Sequence, residues 1–398
     1  MSAYGREHWH VTLKESPFHA RLAPLNLRQN WIGWAGYLSA NAYYDASIEY
    51  FALRNQATLY DLSPMIKYEI KGPGAEAFLN RLVTRDVRKQ KPGRVSYSVW
   101  CDDAGHVLDD GTIFRFGPEE FRLCCQERHL PWFLDSAQGF DVTLREVTDE
   151  IAGLALQGPC SAAILRRLGL AEVERLKPFD LARTTLDGFA LELSRTGFTG
   201  DLGYELWVAP AQALALWDRL MAAGAVYGLR PMGSDALNMA RIEGGFIMPK
   251  VDFVPAAHAL RERGRSPFEL AQDRQVDFAK GPFNGRRALL AEQARGARYI
   301  LVPVELEGHH IVQGSLAYHK GKTEIGFLTS AIWSPTVKRA IAYASLRRPY
   351  GDTVKDDLWV EVYVQKELKW DKVMARATVV PRPFFDPPRR KVTPPGDL

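Results

Sequence analysis

Two stretches of the chain combine residue types that do chemistry. In the first, Asp109 and Asp110 follow the turn at Gly105 and precede Gly111, where the second strand of a hairpin begins. An acidic pair beside a turn is often only a solvated loop. Alternation along a strand gives a second reading: it sends one carboxylate inward and the other outward, so a single Asp can be buried against a cationic or proton-sharing ligand. The second stretch, residues 194–205, reads SRTGFTGDLGYE and places three glycines, two aromatics and a closing glutamate between two strands. Glycines at this density allow positive φ and close approach of backbone to a flat ligand. A flexible loop is the alternative, although aromatic residues serve mere flexibility poorly. On the emerging strand, Glu205 can accept two hydrogen bonds from an amidine-like edge such as that of a pterin, and Phe198 can pack on its ring.

Other candidates weaken on inspection. His8, His10, His309 and His310 have no carboxylate or Cys at metal-ligand spacing, so no metal is expected. Cys124 and Cys125 lie in an apolar strand with nothing near in sequence to lower a thiol pKa, and are expected to pack. No Walker sequence occurs, nor any strand followed by G-x-G-x-x-G, so neither an NTPase nor a dinucleotide enzyme is indicated.

The elements that must position these residues belong to an ordinary globular protein. Of 398 residues 46% are hydrophobic and 11% aromatic, enough for two or three packed units. The charge of +4 balances 51 basic against 47 acidic residues and forms no basic stripe, which argues against nucleic acid. Four cysteines, two of them adjacent, read as reduced thiols. No leader-like or membrane-length apolar run appears, so a cytoplasmic location without a membrane is expected.

The pattern predicts a helix over residues 48–55, a strand at 68–70, a helix over 75–82, and a hairpin of strands 95–100 and 112–116 about a turn at 102–106. A strand over 151–156 and a helix over 162–168 repeat the strand–helix unit. The joints are Gly72-Pro73 and Gly158-Pro159, a pairing that suggests two related α+β halves. Strands at 189–193 and 204–208 flank the glycine-rich stretch, and a helix follows over 211–223. Beyond residue 297, short strands at 299–305, 323–327, 340–345 and 359–365 predict a small β-barrel. The proline-rich end, with Arg389-Arg390-Lys391, predicts an extended and disordered arm. The domains expected are thus 1–297, 298–385 and a flexible tail at 386–398.

In order along the chain, Tyr60-Asp61-Leu62-Ser63, residues 93–98, Leu108-Asp109-Asp110, Leu156-Gln157-Gly158-Pro159, residues 194–205, Arg241-Ile242-Glu243, residues 326–330 and Trp333-Ser334-Pro335 resemble the glycine cleavage T-protein, or aminomethyltransferase, family. That resemblance implies an α+β fold of two related subdomains and a C-terminal β-barrel around a central channel, with tetrahydrofolate as cofactor. It implies Asp110 as the catalytic aspartate, Glu205 as acceptor for the pterin edge, Phe198 and Tyr97 as walls, and Thr112 and Phe114 as lining of the same channel. Arg241 and Glu243 match a segment whose role is structural as readily as functional. The chain departs from the family's pattern at Pro64, Cys125, Leu237, Asn238 and residues 247–250, on the side that would meet the donor. The expected function is therefore a tetrahydrofolate-dependent methyltransferase or demethylase taking a methyl or methylene group from a small methylated substrate, with an oxidase or carrier-protein partner possible. The alternatives are an aminomethyltransferase of glycine cleavage using lipoyl carrier protein, and a non-catalytic folate-binding protein of iron-sulfur assembly. The last has a cysteine signature where this chain reads Lys280-Gly281-Pro282-Phe283.

Overall fold

A computed structural model of the protein describes residues 12–353 and 357–395. Alternation decides which side of each sheet is buried against what. The first sheet has the strand order Arg94–Cys101, Val107–Arg115, Glu120–Cys125, Ile66–Lys71, Thr143–Glu146, each antiparallel to its neighbours. Ile66, Tyr68, Trp100, Ile113 and Leu123 point to one side and close over Phe78, Leu79 and Leu82 of the helix Ala75–Leu82 and Phe133 of the helix Leu130–Ser136. Each such fully buried large side chain contributes about 1.5–3 kcal/mol. Val95, Phe114 and Cys124 point the other way and meet Ala155 and Trp207 of the second sheet.

That second sheet runs Leu181–Leu186, Phe189–Ser194, Gly203–Val208, Ala152–Gln157, Thr58–Asp61, Arg230–Pro231, with only the last pair parallel. Its outer side, including Leu154, Leu156, Leu193 and Leu206, packs with Ile164, Leu216 and Leu220 of the helices Ser161–Arg167 and Ala213–Gly224. The two halves are built alike at their joints. Gly72 and Gly158 have φ of +125° and +121°, and a Cβ would come within 2.9 Å of the Asp141 carbonyl and 2.7 Å of the Gln56 and Leu53 carbonyls respectively. Only glycine makes either turn, which is why glycine recurs there.

The barrel closes six strands in the order Tyr299–Leu306, Arg339–Arg347, Thr323–Ser334, Leu316–His319, Leu358–Lys366, Lys369–Val379. Leu316–His319 and Lys369–Val379 were not anticipated, the first because four residues carry little pattern and the second because most of its residues stay partly or fully exposed. The helix Ser234–Glu243 joins barrel to sheets: Tyr343 donates to the Ile242 carbonyl at 2.7 Å, and Ser330 and Ser334 bond Arg241 and Glu243.

Residues 386–395, for which a flexible tail is expected, make side-chain contacts with the rest of the protein. Arg389 donates twice to Asp201, at 2.6 and 2.9 Å, Arg195 donates to the Thr393 hydroxyl at 2.7 Å, and Phe385 N–H donates to the Glu243 carbonyl at 3.0 Å. A basic, proline-rich composition reads as disorder until a buried carboxylate is found to receive it; here it forms a strap. Residues 396–398, and likewise His8 and His10, lie outside the described residues. Among those described, no helix is long and apolar enough to cross a membrane, and all four cysteines are free.

Candidate active site between the two sheets

Asp109 and Asp110 lie inside the strand Val107–Arg115, which begins earlier than expected and is bulged next to them: Trp100 pairs with Asp109 and Cys101 with Val107. Alternation separates the two carboxylates. Asp109 is fully buried on the helix side, where it accepts from the N–H groups of Asp110 and Glu127 at 2.8 and 2.9 Å and lies 3.1 Å from His129 Nε2. Asp110 projects from the opposite side of the strand with Tyr97 and Thr112, all three half-buried, and Tyr97 packs against the cluster that holds Ile242 of the helix Ser234–Glu243 and Tyr343 of the barrel. Tyr97 donates its hydroxyl to Asp110 Oδ2 at 2.7 Å. Burial and then the charge of Asp109 push the Asp110 carboxyl up to about 8, against the pull of Tyr97. Burial likewise holds the Tyr97 hydroxyl well above its usual range.

Glu205 projects from the facing side of the second sheet, in the strand Gly203–Val208, paired with Ser194 and Ala155. It is 8% exposed, and burial pushes it up to about 7 although Thr196 bonds it and Arg122 is near. The Cys124 thiol, on the strand next to Thr112, is raised to about 11 chiefly by burial and partly by the charge of Glu205, so the two sheets meet there.

The glycines of residues 194–205 have a different reason from the one expected. A Cβ on Gly197 or Gly203 would come within 2.1 or 2.2 Å of the Gln157 amide, and one on Gly200 within 2.5 Å of Gly244 Cα. Gln157 bonds the loop through the Thr196 carbonyl at 3.2 Å and the Thr199 hydroxyl at 2.8 Å. These glycines serve packing of the protein on itself. Phe198, half-buried, stacks on Phe246 with centroids 5.1 Å apart. Phe246 carried no sequence signal of its own.

Two expectations about the strands change. Phe114 does not line an open face: it is fully buried, with Trp207 edge-on at 6.1 Å and the Arg122 guanidinium over it at 4.9 Å. Cys125 points to the helix side and donates its S–H to the Glu127 carbonyl, away from Asp110's face.

Arg241 and Glu243 are both fully buried, and each belongs to a separate ion pair. Arg241 meets Asp252 at 2.5 Å and Ser330 at 2.7 Å, and its Nε donates to Asn238 at 2.8 Å. Glu243 takes Arg54 at 2.6 Å and the Tyr50 hydroxyl at 2.5 Å, while Arg54 reaches Asp201 at 3.0 Å and Asp201 reaches Arg389 of the strap. This chain of charges ties the glycine-rich loop, two helices, the barrel and the strap together.

The N-terminal aromatics divide. Tyr37 and Tyr43 are core, at 5% and 3% exposure, and Trp31 packs beside His19. Trp34 lies 5.9 Å from Tyr60 and packs with Met65, Leu237 and Met239 against the cluster between the sheets, its Nε1 buried without a partner. Pro64 is buried in the same turn. Among the described residues no group of three or more His, Cys, Asp or Glu side chains could hold a metal ion.

Comparison with known proteins adds to this geometry. Residues 26–262 match the family model described as the GCVT N-terminal domain, and residues 300–386 match the glycine cleavage T-protein C-terminal barrel domain. A trimethylamine-oxide aldolase of Ruegeria pomeroyi is 32% identical over 393 residues, 95% of this chain but 48% of that protein, so the chain spans about half of that relative's length. An aminomethyltransferase of Herpetosiphon aurantiacus is 30% identical over 378 residues, 94% of this chain and 98% of its own. The glycine cleavage system aminomethyltransferase T of Bartonella henselae has the same fold, with a TM-score of 0.80 at 23% identity over 94% of this chain and 98% of its own. Two matched family models and a relative of nearly equal length make the chain a member of the glycine cleavage T-protein family.

Proposed function

We propose that the protein transfers a one-carbon unit from a small methylated donor to tetrahydrofolate: a methyl group at unchanged oxidation level, or a methylene group where the donor itself carries the oxidant, as an amine N-oxide does in its N–O bond. The observation that carries this reading is the placing of two carboxyls on facing sheets, Asp110 held by the Tyr97 hydroxyl at 2.7 Å and Glu205 at 8% exposure on the strand Gly203–Val208, both raised by burial. A pterin fits the second of them: its amidine-like edge offers two N–H donors, which would hold Glu205 as a carboxylate and offset its loss of water. Thr112, on the same side of its strand as Asp110, would line the same space, and the Phe198–Phe246 stack offers a flat apolar wall. When bound, tetrahydrofolate supplies the nitrogen nucleophile that accepts the carbon.

The chain's own residues do the rest. Tyr97 fixes one oxygen of Asp110, so that the carboxyl is held in place to orient a reacting nitrogen or to balance positive charge on the donor. Burial strengthens that charge balance, because little water competes for it. On the donor side, Trp34, Tyr60, Met65 and Leu237 offer an aromatic and apolar lining. Such a lining favours a methylated cation by about 0.5–2 kcal/mol for each aromatic face. A relative named for trimethylamine oxide agrees with a small N-methyl donor. A lipoyl arm would gain little there, so glycine cleavage through a carrier protein is the lesser reading.

The test is to incubate the protein with tetrahydrofolate and, separately, methylated amines, amine oxides, sulfonium compounds and aryl methyl ethers, and to identify the folate product by mass. Methyl- or methylene-folate from one of them supports the proposal; unchanged tetrahydrofolate throughout defeats it.

A further inference from the structure

Asp109 is fully buried on the helix side of its strand, yet its surroundings are organised around its neighbour. A carboxylate wholly removed from water persists only when its lone pairs are filled. Here Oδ1 takes the N–H of Asp110 at 2.8 Å, and Oδ2 takes the N–H of Glu127 at 2.9 Å and faces His129 Nε2 at 3.1 Å. The carboxylate only accepts, so Nε2 carries the hydrogen. His129 is itself fixed: its backbone N–H donates to the Tyr68 hydroxyl at 2.8 Å, and its ring stands edge-on to Trp100 with centroids 5.6 Å apart. The bulge at Leu108 lies immediately before the pair, and bulges re-aim the side chains that follow. The Asp110 N–H is thus tied to a buried anion at the point where the strand changes course.

We propose that Asp109 and His129 are positioning residues: they fix the direction in which Asp110 projects between the sheets and hold a second negative charge directly behind it. The inference rests on the reading of Asp110 as the reacting carboxylate. Other titratable groups about the pair are Tyr97 on the adjoining strand, Cys125 and Tyr68 on the helix side, Glu127 in the following turn, and Arg382 of the strap, whose charge reaches Tyr97.

The test follows the Asp110 carboxyl itself, by carbon-13 NMR of protein labelled at aspartate, with its signal assigned by its loss in Asp110→Asn. In Asp109→Asn the titration midpoint of Asp110 should fall by about one pH unit or more, because a like charge beside it is gone. Tetrahydrofolate affinity, read by calorimetry, should stay within about threefold, since Asp109 does not face the ligand space. A folded Asp109→Asn protein with an unmoved Asp110 midpoint overturns the proposal. Should that variant not fold, His129→Phe keeps a ring against Trp100 while removing the donor; a shift of the Asp110 midpoint supports the proposal and none overturns it. Failure of the parent protein to bind tetrahydrofolate would defeat the proposed function, while the titration would still decide this inference.

Discussion

Tyr97 and Asp110 sit diagonally across neighbouring strands, with the hydroxyl 2.7 Å from one carboxylate oxygen. The bond favours the charged carboxylate, opposing the burial that favours the neutral acid. If the carboxylate is the working form, kcat/KM should rise with pH through an apparent value near 8. Tyr97→Phe removes the opposing pull and should move that rise to higher pH. A profile unchanged by Tyr97→Phe would remove the tyrosine from the control of Asp110.

Asp110→Asn should abolish most turnover while leaving tetrahydrofolate affinity within about tenfold, because the carboxylate acts mainly in the transition state. Asp103→Asn, exposed in the preceding turn, is the matching silent control. Asp109→Asn cannot serve as one, given its burial and three partners. Kinetics and calorimetry on the same preparations separate the two effects; equal turnover of parent and Asp110→Asn would exclude the assignment.

Glu205→Gln should weaken tetrahydrofolate by about 1.5–3 kcal/mol, the usual worth of a hydrogen bond to a charged group. The same residue shapes the stability of the ligand-free protein. Its folded-state value, about 7, is raised above the ordinary 4.5, so the native state binds more protons than the unfolded state between those values. Glu205 therefore favours unfolding progressively as pH rises across that window. Relative to the parent, the Gln variant should gain stability between pH 5 and 7.5, read from denaturant midpoints, and a constant difference across that range would contradict the burial of this carboxyl.

Glu243 joins Arg54, Tyr50 and Ser334 in the buried charge network. Glu243→Ala takes one partner each from Arg54, which keeps Asp201, and from Tyr50, which keeps Thr336, and removes a buried counter-charge, so about 3–5 kcal/mol of stability should be lost. Arg389→Ala should cost less, because Asp201 keeps Arg54 at 3.0 Å and the Arg389 side chain is partly solvated. Urea unfolding of both variants checks the order, and an equal loss would show that the strap is as central to the network as the helix.

Some of this was legible from the chain and some was not, for physical reasons. Gly72-Pro73 and Gly158-Pro159 announced two like halves because each glycine meets backbone that no side chain could pass. The separation of Asp109 from Asp110 followed from strand alternation alone. His129, by contrast, lies 20 residues from Asp109, and nothing local to either residue signals that they meet. The glycines of residues 194–205 advertised a close approach, but whether to ligand or to Gln157 depends on a strand 40 residues away. Phe114 and Thr112 share a face by alternation, and only the arrival of Trp207 and Arg122 buries one and leaves the other open.

In the proposed reaction, carbon moves to tetrahydrofolate from a small methylated compound and not from a lipoyl carrier. The most direct measurement places the two side by side: carbon-13 methyl-labelled donors of the amine, amine-oxide and sulfonium classes in one series, and aminomethylated lipoyl carrier protein in the other, each with tetrahydrofolate. The label should appear in the folate product from at least one small donor, while no ammonia is released from the carrier. Release of ammonia from the carrier at a rate matching a glycine cleavage aminomethyltransferase, with no label transferred from any small donor, would contradict it.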